Sequence, residues 1–452
     1  MIADTPIKEQ AQKTATVPRL EGNPEFNWKH CWYPVTFVQD LPKDRPYSFS
    51  LYDEPLVLFK NQDGKLGCLT DYCPHRAARL SDGQIIDGKL ECLYHGWQFG
   101  TDGQCLNIPQ LPADAKIPTK ACVKSFPTVE RQGIVWVWPG EPEAADIDRI
   151  PTVDVLDKPG FVYTDYMVDL PHDQTYLIEN VLDPAHVSIS HHGSQGNRKN
   201  AQPLEIEIIE SSAQRIRGRW RGTQNPDEAW KYVDFIAPNL VHNIINLGTR
   251  DWCVGLVSYG LPLGKGRCRL LFRGYRNFFT WTEFLKPRWF GHLRWNKILE
   301  EDLSIIARQE EQIERLGKSL KEIYLPLKTT DTLLIEYRKW LDKYGSNLPF
   351  YEGYSTSKRG SAEASTTQSP VILDRYKQHT GICSSCQPAH QVANRLKQAL
   401  VAVAIGIAAV AMLIDEPSSE KLVAVAAFLG AAALAFVAHL FKTKFERSYD
   451  RS

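Results

Sequence analysis

Apolar and polar positions alternate in the first part of the chain, whereas helical periods enter only later. Residues 26–142 contain short alternating runs, such as Pro55–Phe59, between turns rich in Gly and Asp, which predicts an all-β domain. Residues 143–352 mix similar runs with two long helical patterns, around 173–190 and 294–317. The predicted fold class is therefore α+β, with an all-β domain followed by a mixed domain.

Two nearly uninterrupted apolar runs, Ala399–Ile414 and Leu422–Phe441, lie near the C-terminus. The second reaches the ~20 residues that a bilayer span needs, and the first is shorter. Basic residues flank the pair on both outer sides, so both ends are expected in the cytoplasm. We predict a two-helix membrane anchor over 395–452. A buried helical hairpin of a soluble domain is the alternative.

The N-terminal segment, the segment before the anchor and the charge balance bear on the location, the organisation and the partners of the protein. Residues 1–25 are polar and lack the apolar stretch of a signal peptide, so we interpret them as the flexible start of a prokaryotic cytoplasmic chain. Residues 353–394 begin with a stretch rich in Ser, Thr and Gly, which predicts a connector. Lys+Arg and Asp+Glu both number 53, so the charge balance does not favour a nucleic-acid partner.

Cysteine and histidine are paired twice in the β-rich domain, as Cys73-Pro-His75 and Cys92-Leu-Tyr-His95. A [2Fe–2S] cluster with two Cys on one iron and two His on the other needs this set of ligands. Zinc accepts the same four side chains, and a disulfide between the two cysteines is a third possibility. We predict the [2Fe–2S] cluster, because the usual zinc finger pairs Cys with Cys and His with His.

A second group of polar residues lies in the mixed domain. Asn180, Asp183 and His186 recur every third residue and so share one helical face, and His191 follows five residues later. Pro184 removes a backbone hydrogen bond, so we expect a helix break that brings both imidazoles onto one metal. Two His and one carboxylate on one side of Fe(II) leave open positions for oxygen.

The carboxylate ligand has to come from another part of the chain. We predict that Asp302 is this ligand, because it lies at the rim of an apolar helical stripe, and Glu301 is the second candidate. That stripe consists of Leu299, Leu303, Ile306 and Ile313. The alternative for Asp302 is a solvated helix charge, and for His186 and His191 it is ordinary core or surface histidine. The cluster predicted upstream favours iron.

The motif Asn-x-x-Asp-x-x-His-x₄-His after the two Cys–His pairs resembles that of the Rieske non-haem iron oxygenases. The resemblance implies a helix-grip-like catalytic domain in which His186, His191 and Asp302 bind iron, with Asn180 and Asp183 as catalytic residues. It also implies a homotrimer, in which Asp183 links an iron-binding His to a cluster-binding His of a neighbouring subunit.

The C-terminal part carries a narrower resemblance, because Cys383-Ser-Ser-Cys386 precedes the apolar hairpin. This order is similar to the pheophorbide a oxygenase group, whose members have a Rieske domain, a mononuclear-iron domain, a Cys-x-x-Cys and two membrane helices. The group includes lethal-leaf-spot-like, protochlorophyllide-oxygenating and translocon-associated members. A plastid transit peptide is not visible, which points to a cyanobacterial member.

Cys383 and Cys386 have three interpretations. Their spacing favours a redox pair that thioredoxin could reduce. His379 and His390 flank the pair symmetrically, so zinc is a second interpretation. Two free thiols on an exposed segment are the third.

The resemblance implies a membrane-anchored monooxygenase that uses O₂ and ferredoxin-derived electrons. Its expected substrate is a chlorophyll-derived tetrapyrrole, first of all pheophorbide a, whose ring it would open. The alternatives within the class are side-chain oxidation of protochlorophyllide or chlorophyllide a, and hydroxylation of a phyllobilin. A Rieske electron-transfer component of a membrane complex is the alternative from another class. A thylakoid or plasma membrane is the expected location, with the soluble domains on the cytoplasmic side.

Overall fold

The computed structural model describes residues 26–225, 227–248, 251–358, 373–414 and 418–448. The predicted N-terminal segment 1–25 and the middle of the predicted connector lie outside these ranges. The chain divides into two compact units, Met1–Phe284 with Ile305–Gln368, and Leu285–Ser304 with Ser369–Ser452. The division falls inside a single continuous helix, Arg288–Leu316.

The strands of the described residues belong to the first unit. They are β1 Tyr33–Phe37, β2 Tyr47–Leu51, β3 Glu54–Lys60, β4 Leu66–Thr70, β5 Gln84–Ile86, β6 Lys89–Glu91, β7 Gln98–Phe99, β8 Cys105–Asn107, β9 Ser125–Phe126, β10 Thr128–Arg131, β11 Ile134–Val137, β12 Val162–Leu170, β13 Leu204–Ser211, β14 Arg215–Gly222, β15 Lys231–Ile236, β16 Leu240–Leu247, β17 Trp252–Gly264 and β18 Arg267–Arg276. The α-helices are α1 Gln174–Leu182, α2 Val187–Ser190, α3 Arg288–Leu316, α4 Leu320–Ile323, α5 Thr332–Tyr344, α6 Arg375–Gln378, α7 Cys386–Met412 and α8 Ser419–Thr443.

Three small antiparallel sheets make up the N-terminal part, with the strand orders β1-β11-β10, β2-β3-β4-β9 and β5-β6-β7-β8. One core of this part contains Val35, Leu56 and Val135, which point inward as the period of two along each strand requires. Leu261 and Leu263 of β17 complete the same core. The N-terminal part therefore shares a core with the strand that follows it by more than a hundred residues.

A seven-stranded antiparallel sheet forms the rest of the first unit, in the order β12-β18-β17-β16-β15-β14-β13. Arg269 of β18 pairs with Asp169 of β12 at 2.6 Å and also donates to the Val35 carbonyl at 3.2 Å. Arg273, on the same strand, pairs with Asp165 at 2.5 Å and donates to the Gln132 carbonyl at 2.8 Å. Because buried charges are tolerated only when they are paired, these arginines fix the sheet against the N-terminal part.

A buried ion pair holds α1 in place. The Arg338 Nε of α5 donates to Glu179 of α1 at 2.5 Å, and Arg338 Nη1 donates to the Glu352 carbonyl at 2.6 Å. The Tyr324 hydroxyl donates to Glu179 at 3.0 Å. Arg338 is fully buried, so its charge depends on these partners, and α1 is tied firmly to α5.

The second unit contains the helical hairpin of α7 and α8, both long and apolar enough to cross a membrane. Its buried positions include Ala431, Ala435 and Ala438, which recur on one face of α8. Large apolar side chains lie outside, and Leu422 and Phe436 are 73% and 61% exposed. Small residues allow close helix packing in lipid, and the exposed apolar faces disfavour the alternative of a buried soluble hairpin.

The first hairpin helix begins earlier than the sequence pattern suggests. Helix α7 starts at Cys386, so the predicted boundary between connector and anchor at residue 395 falls inside the helix. The predicted anchor starts at the basic residues before the uninterrupted apolar run, and the first turns of α7 mix polar residues with Ala389, Val392 and Ala393. They are nevertheless continuous with the apolar part of α7.

Candidate metal centres

Two short loops with the same backbone hydrogen bonds carry the four predicted cluster ligands. The Ala77 N–H donates to the Cys73 carbonyl, and the Gly96 N–H donates to the Cys92 carbonyl, both at 2.9 Å. The N–H of each Cys donates to the carbonyl of the fifth residue after it, at 2.8 and 2.9 Å. Ala77 and Gly96 both have a positive φ, of 57° and 72°, so the two loops turn at the same position.

The side chains of these loops sort into a histidine pair and a cysteine pair. The rings of His75 and His95 lie 4.4 Å apart between centroids, and His75 stacks on Trp97 at 4.8 Å. Cys73 and Cys92 are buried beside each other. A Rieske cluster needs both histidines on one iron and both cysteines on the other, so the arrangement fits it.

One further observation fits a metal-binding role for the loops. Among the described residues, the buried Nδ1 of His75 has no hydrogen-bond partner, as expected of an atom that binds a metal. Burial raises the pKa of the Cys73 thiol to about 11 and so opposes the thiolate form, an effect that the positive charge of bound iron would have to offset.

The helix break predicted at Pro184 is confirmed. Helix α1 ends at Leu182 and α2 begins at Val187, with Pro184 between them. The rings of His186 and His191, at the two ends of α2, come within 5.3 Å between centroids. Both histidines follow the break, and a regular helix would not place residues five apart on one face. It is the end of α2 at His191, with φ −98° and ψ 25°, that lets the two imidazoles face each other.

Asp183 caps this break. Its N–H donates to the Asn180 carbonyl at 3.2 Å, and its side chain accepts from the Ala185 N–H at 2.7 Å. The second carboxylate oxygen lies 3.6 Å from the Nδ1 of His186. Asp183 therefore lies where it can orient the His186 ring, as carboxylates beside metal-binding histidines do.

Asp302 is the carboxylate that meets the two histidines. It lies on α3, one turn before Ile306, and Ile306 packs with Tyr176 of α1 in a buried cluster. His186, His191 and Asp302 each offer one ligand atom, and these atoms all lie within 4.8 Å of one another. Glu301 is equally buried, so burial alone does not separate the two candidates, whereas the geometry selects Asp302. Two imidazoles and one carboxylate fit a non-haem Fe(II) site.

Comparisons with known proteins decide the family. A Rieske [2Fe-2S] domain model matches residues 31–127, and a pheophorbide a oxygenase model matches residues 235–319. Protein TIC 55 of Arabidopsis thaliana is 34% identical over 96% of this chain and 86% of its own length. The pheophorbide a oxygenase of the same plant is 33% identical over 86% of this chain and 78% of its own length. The chain belongs to the pheophorbide a oxygenase group of Rieske oxygenases.

A solved structure supports the same assignment. Dicamba monooxygenase bound to dicamba is 26% identical and superposes with a TM-score of 0.60, over 71% of this chain and 98% of that chain. The predicted fold class is confirmed, as are the two cofactors, a [2Fe–2S] Rieske cluster and a mononuclear iron. This member of the pheophorbide a oxygenase group is therefore a Rieske-type oxygenase.

The Cys-x-x-Cys of this Rieske oxygenase lies in a second set of Cys and His residues. We term it the C-terminal set; its members are His292, His379, Cys383 and Cys386. His379 is the histidine that the sequence suggested for a zinc interpretation. The other suggested histidine, His390, lies outside the set, because its Nε2 is 2.8 Å from a Glu446 carboxylate oxygen.

His292 is the residue that sequence reasoning missed. It lies 91 residues before Cys383, so no local spacing connects the two. A usable pattern exists on its own helix, where His292, Asn296 and Glu300 recur every fourth residue and are buried. A polar stripe on the buried face of a helix indicates partners elsewhere, and Glu300 finds its partner in Arg375.

Proposed function

We propose that this protein is a membrane-anchored Rieske monooxygenase that uses O₂ and ferredoxin-derived electrons to oxygenate a chlorophyll-derived tetrapyrrole. Pheophorbide a is the first candidate substrate, and opening of its ring is the proposed reaction. The observation that carries the proposal is the presence of both ligand groups in one chain: two Cys–His loops, and two His with Asp302. An electron carrier would need only the first group.

The residues have distinct proposed roles. Cys73, His75, Cys92 and His95 would hold the cluster, and His186, His191 and Asp302 would hold the iron. When bound, the two groups supply electron delivery and oxygen activation. The chain supplies ligand geometry and shields the site, since His191 and Asp302 are only 4% and 7% exposed.

Asp183 is proposed as the link between subunits of a homotrimer. One of its oxygens accepts the Ala185 N–H and the other lies near His186, yet 22% of its side chain stays exposed. That surface leaves room for a donor from a neighbouring subunit. Leu93 and Tyr94, in the second ligand loop, are 61% and 60% exposed, which suits a surface that another subunit covers.

The hairpin is proposed to span the membrane with both ends on the cytoplasmic side. The basic residues Arg395 and Lys397 precede the apolar run of α7, and Lys442 follows the apolar run of α8, as the positive-inside rule requires. A membrane anchor suits a hydrophobic macrocycle, because it keeps the enzyme at the membrane whose lipid dissolves the substrate. The two Arabidopsis relatives are chloroplast proteins, which supports a photosynthetic membrane as the location.

The identity of the substrate needs a direct test, because the similarity to TIC 55 and to pheophorbide a oxygenase is nearly equal. The full-length protein, purified without oxygen in detergent, would receive reduced ferredoxin, O₂ and one pigment at a time. The panel would hold pheophorbide a, protochlorophyllide, chlorophyllide a and a phyllobilin. Oxygen-dependent loss of pheophorbide a alone supports the proposal. Loss of a different pigment would identify that pigment as the substrate instead.

A His186→Ala variant separates the oxygenase from a redox component. We expect it to lose substrate turnover while the EPR spectrum of the reduced cluster stays unchanged. Equal turnover in the variant and the unmodified protein would contradict the proposed function. If neither protein consumes any pigment and each chain holds about two irons, the result favours an electron-transfer role over the oxygenase.

A further inference from the structure

The C-terminal set is a second group of possible metal ligands, separate from the two centres of the oxygenase. His292 lies in the first turns of α3, His379 and Cys383 lie at the two ends of a short 3₁₀ turn, and Cys386 begins α7. Their exposed fractions are between 0 and 2%. We propose that these four side chains bind one structural Zn²⁺ ion.

The distances within the set match a single tetrahedral ion. Zn–S bonds of about 2.3 Å and Zn–N bonds of about 2.0–2.1 Å place neighbouring S and N atoms about 3.6 Å apart. The His292 Nδ1 lies 3.4 Å from the sulfur of Cys383 and 3.4 Å from that of Cys386. The His379 Nε2 lies 3.3 Å from the Cys386 sulfur. All four ligand atoms lie within 4.8 Å of one another, so one ion can reach all of them.

The composition of the set is that of a closed, structural site. Two Cys and two His complete the coordination of zinc and leave no position for a substrate. Trp289, Leu293 and Phe445 pack around the two cysteines and separate them from water. The Cys386 N–H donates to the Cys383 sulfur at 3.4 Å, a contact that favours the thiolate form needed for binding.

Zinc accounts for these residues better than the redox pair predicted from the spacing. Thiol–disulfide exchange requires that a partner thiol reaches one sulfur, and Cys383 and Cys386 are 2% and 0% exposed. A dithiol also has no need for His292 and His379, whose rings lie 5.0 Å apart between centroids beside it.

The proposed ion would hold the base of the hairpin together. The Thr380 hydroxyl donates to the Phe445 carbonyl at 2.7 Å, and Arg375 pairs with Glu300 of α3. These short segments bury few apolar side chains of their own, and small domains of this kind are often stabilised by a structural metal. Zinc would therefore fix the start of α3, the helix that carries Asp302, to the start of α7.

The test measures zinc directly in the full-length protein, purified in detergent through a tag without histidines. We expect about one zinc per chain, and X-ray absorption at the zinc edge should give two S ligands at about 2.3 Å and two N ligands at about 2.0–2.1 Å. Zinc in the mononuclear site would have N and O ligands only. A His186→Ala background removes that contribution.

Variants assign the ligands. His292→Ala and Cys386→Ser should lower zinc to below about 0.1 per chain, an effect of about tenfold. His390→Ala is the matched control, because this histidine is near in sequence but pairs with Glu446, and it should keep its zinc. If a variant protein cannot be purified, the X-ray absorption spectrum of the unmodified protein tests the proposal by itself. An absence of sulfur-bound zinc together with a Cys383–Cys386 disulfide in a non-reducing peptide map would overturn the proposal in favour of the redox pair.

Discussion

The two sets of two Cys and two His in this protein differ in how the chain presents them. The N-terminal set lies in two matching loops, where Cys73 and Cys92 are buried but His75 and His95 are partly exposed. The C-terminal set joins His292 of α3 to three residues that lie close together in sequence, His379, Cys383 and Cys386, and its members are buried.

The difference teaches that the same four ligand types can serve opposite purposes. An electron must leave the cluster, so the imidazoles that bind one of its irons need a path to the surface. A structural ion needs the reverse, a complete coordination shell without access for water. Exposure of the histidines, and not ligand identity, therefore separates the two roles.

The strongest test of this comparison removes one cysteine from each set. Cys92→Ser should abolish the Rieske EPR signal and lower turnover by more than about 100-fold, since loss of a ligand exceeds the 10–100-fold cost of losing its outer partner. Cys386→Ser should leave that signal in place. Loss of the Rieske signal in the Cys386→Ser protein would show that the two sets do not act separately.

The next largest effect is on stability, and it acts on the helices without touching the loops of the N-terminal set. Arg338→Met leaves Glu179 buried without its partner, which costs about 3–5 kcal/mol. We expect a lower unfolding temperature and loss of mononuclear iron, with an unchanged Rieske spectrum in the folded fraction.

Arg219→Met provides the control for the Arg338 prediction. Arg219 pairs with Glu207, but their side chains are 33% and 44% exposed, so the cost should stay below about 1 kcal/mol. Equal losses of stability in the two variants would show that the buried pair does not hold α1.

A smaller effect concerns electron delivery between the loops and the iron. Asp183→Asn keeps the side-chain shape but removes the charge beside His186, so kcat should fall about 10–100-fold with iron content and Rieske spectrum unchanged. Asp148→Asn is the control, because the Asp148 side chain is 93% exposed. Unchanged kcat in Asp183→Asn would refute the linking role of Asp183.

A further effect on stability depends on pH and arises on α3, the helix that carries His292. Burial, and then the nearby Asp173, raise the pKa of Glu310 to about 8 from its ordinary 4.5. The folded state then favours the protonated form, so this group's contribution to stability is complete below about pH 4.5 and is lost as pH rises towards 8.

Denaturant unfolding at several pH values measures the Glu310 contribution. Glu310→Gln should flatten the decline, which has a slope of at most about 1.4 kcal/mol per pH unit for one group. The exposed neighbour serves as the control through Glu311→Gln, which should leave the slope as it is. A decline that is the same in all three proteins would assign it to other groups.

Local motifs carried most of what the sequence could predict. The cluster loops, the break at Pro184 and the membrane-length helices depend on neighbouring residues, so spacing and hydropathy indicate them. Asp302 needed an argument from the apolar stripe of α3, which Ile306 and Ile313 bear out by their burial. His292 was beyond reach, because its partners are set by the packing of distant helices and not by any local period.

The shared core of the N-terminal part determines when that part can finish folding during synthesis. Leu261 and Leu263 complete that core, yet they leave the ribosome long after Val35 and Leu56 have emerged. During synthesis this core therefore stays incomplete until β17 has left the ribosome, whereas Cys73 and Cys92 of the cluster loops pack in a separate core that ends at Val123. A fragment that ends at residue 142 should therefore expose the apolar side chains that Leu261 and Leu263 cover, and it should aggregate more readily than the full chain.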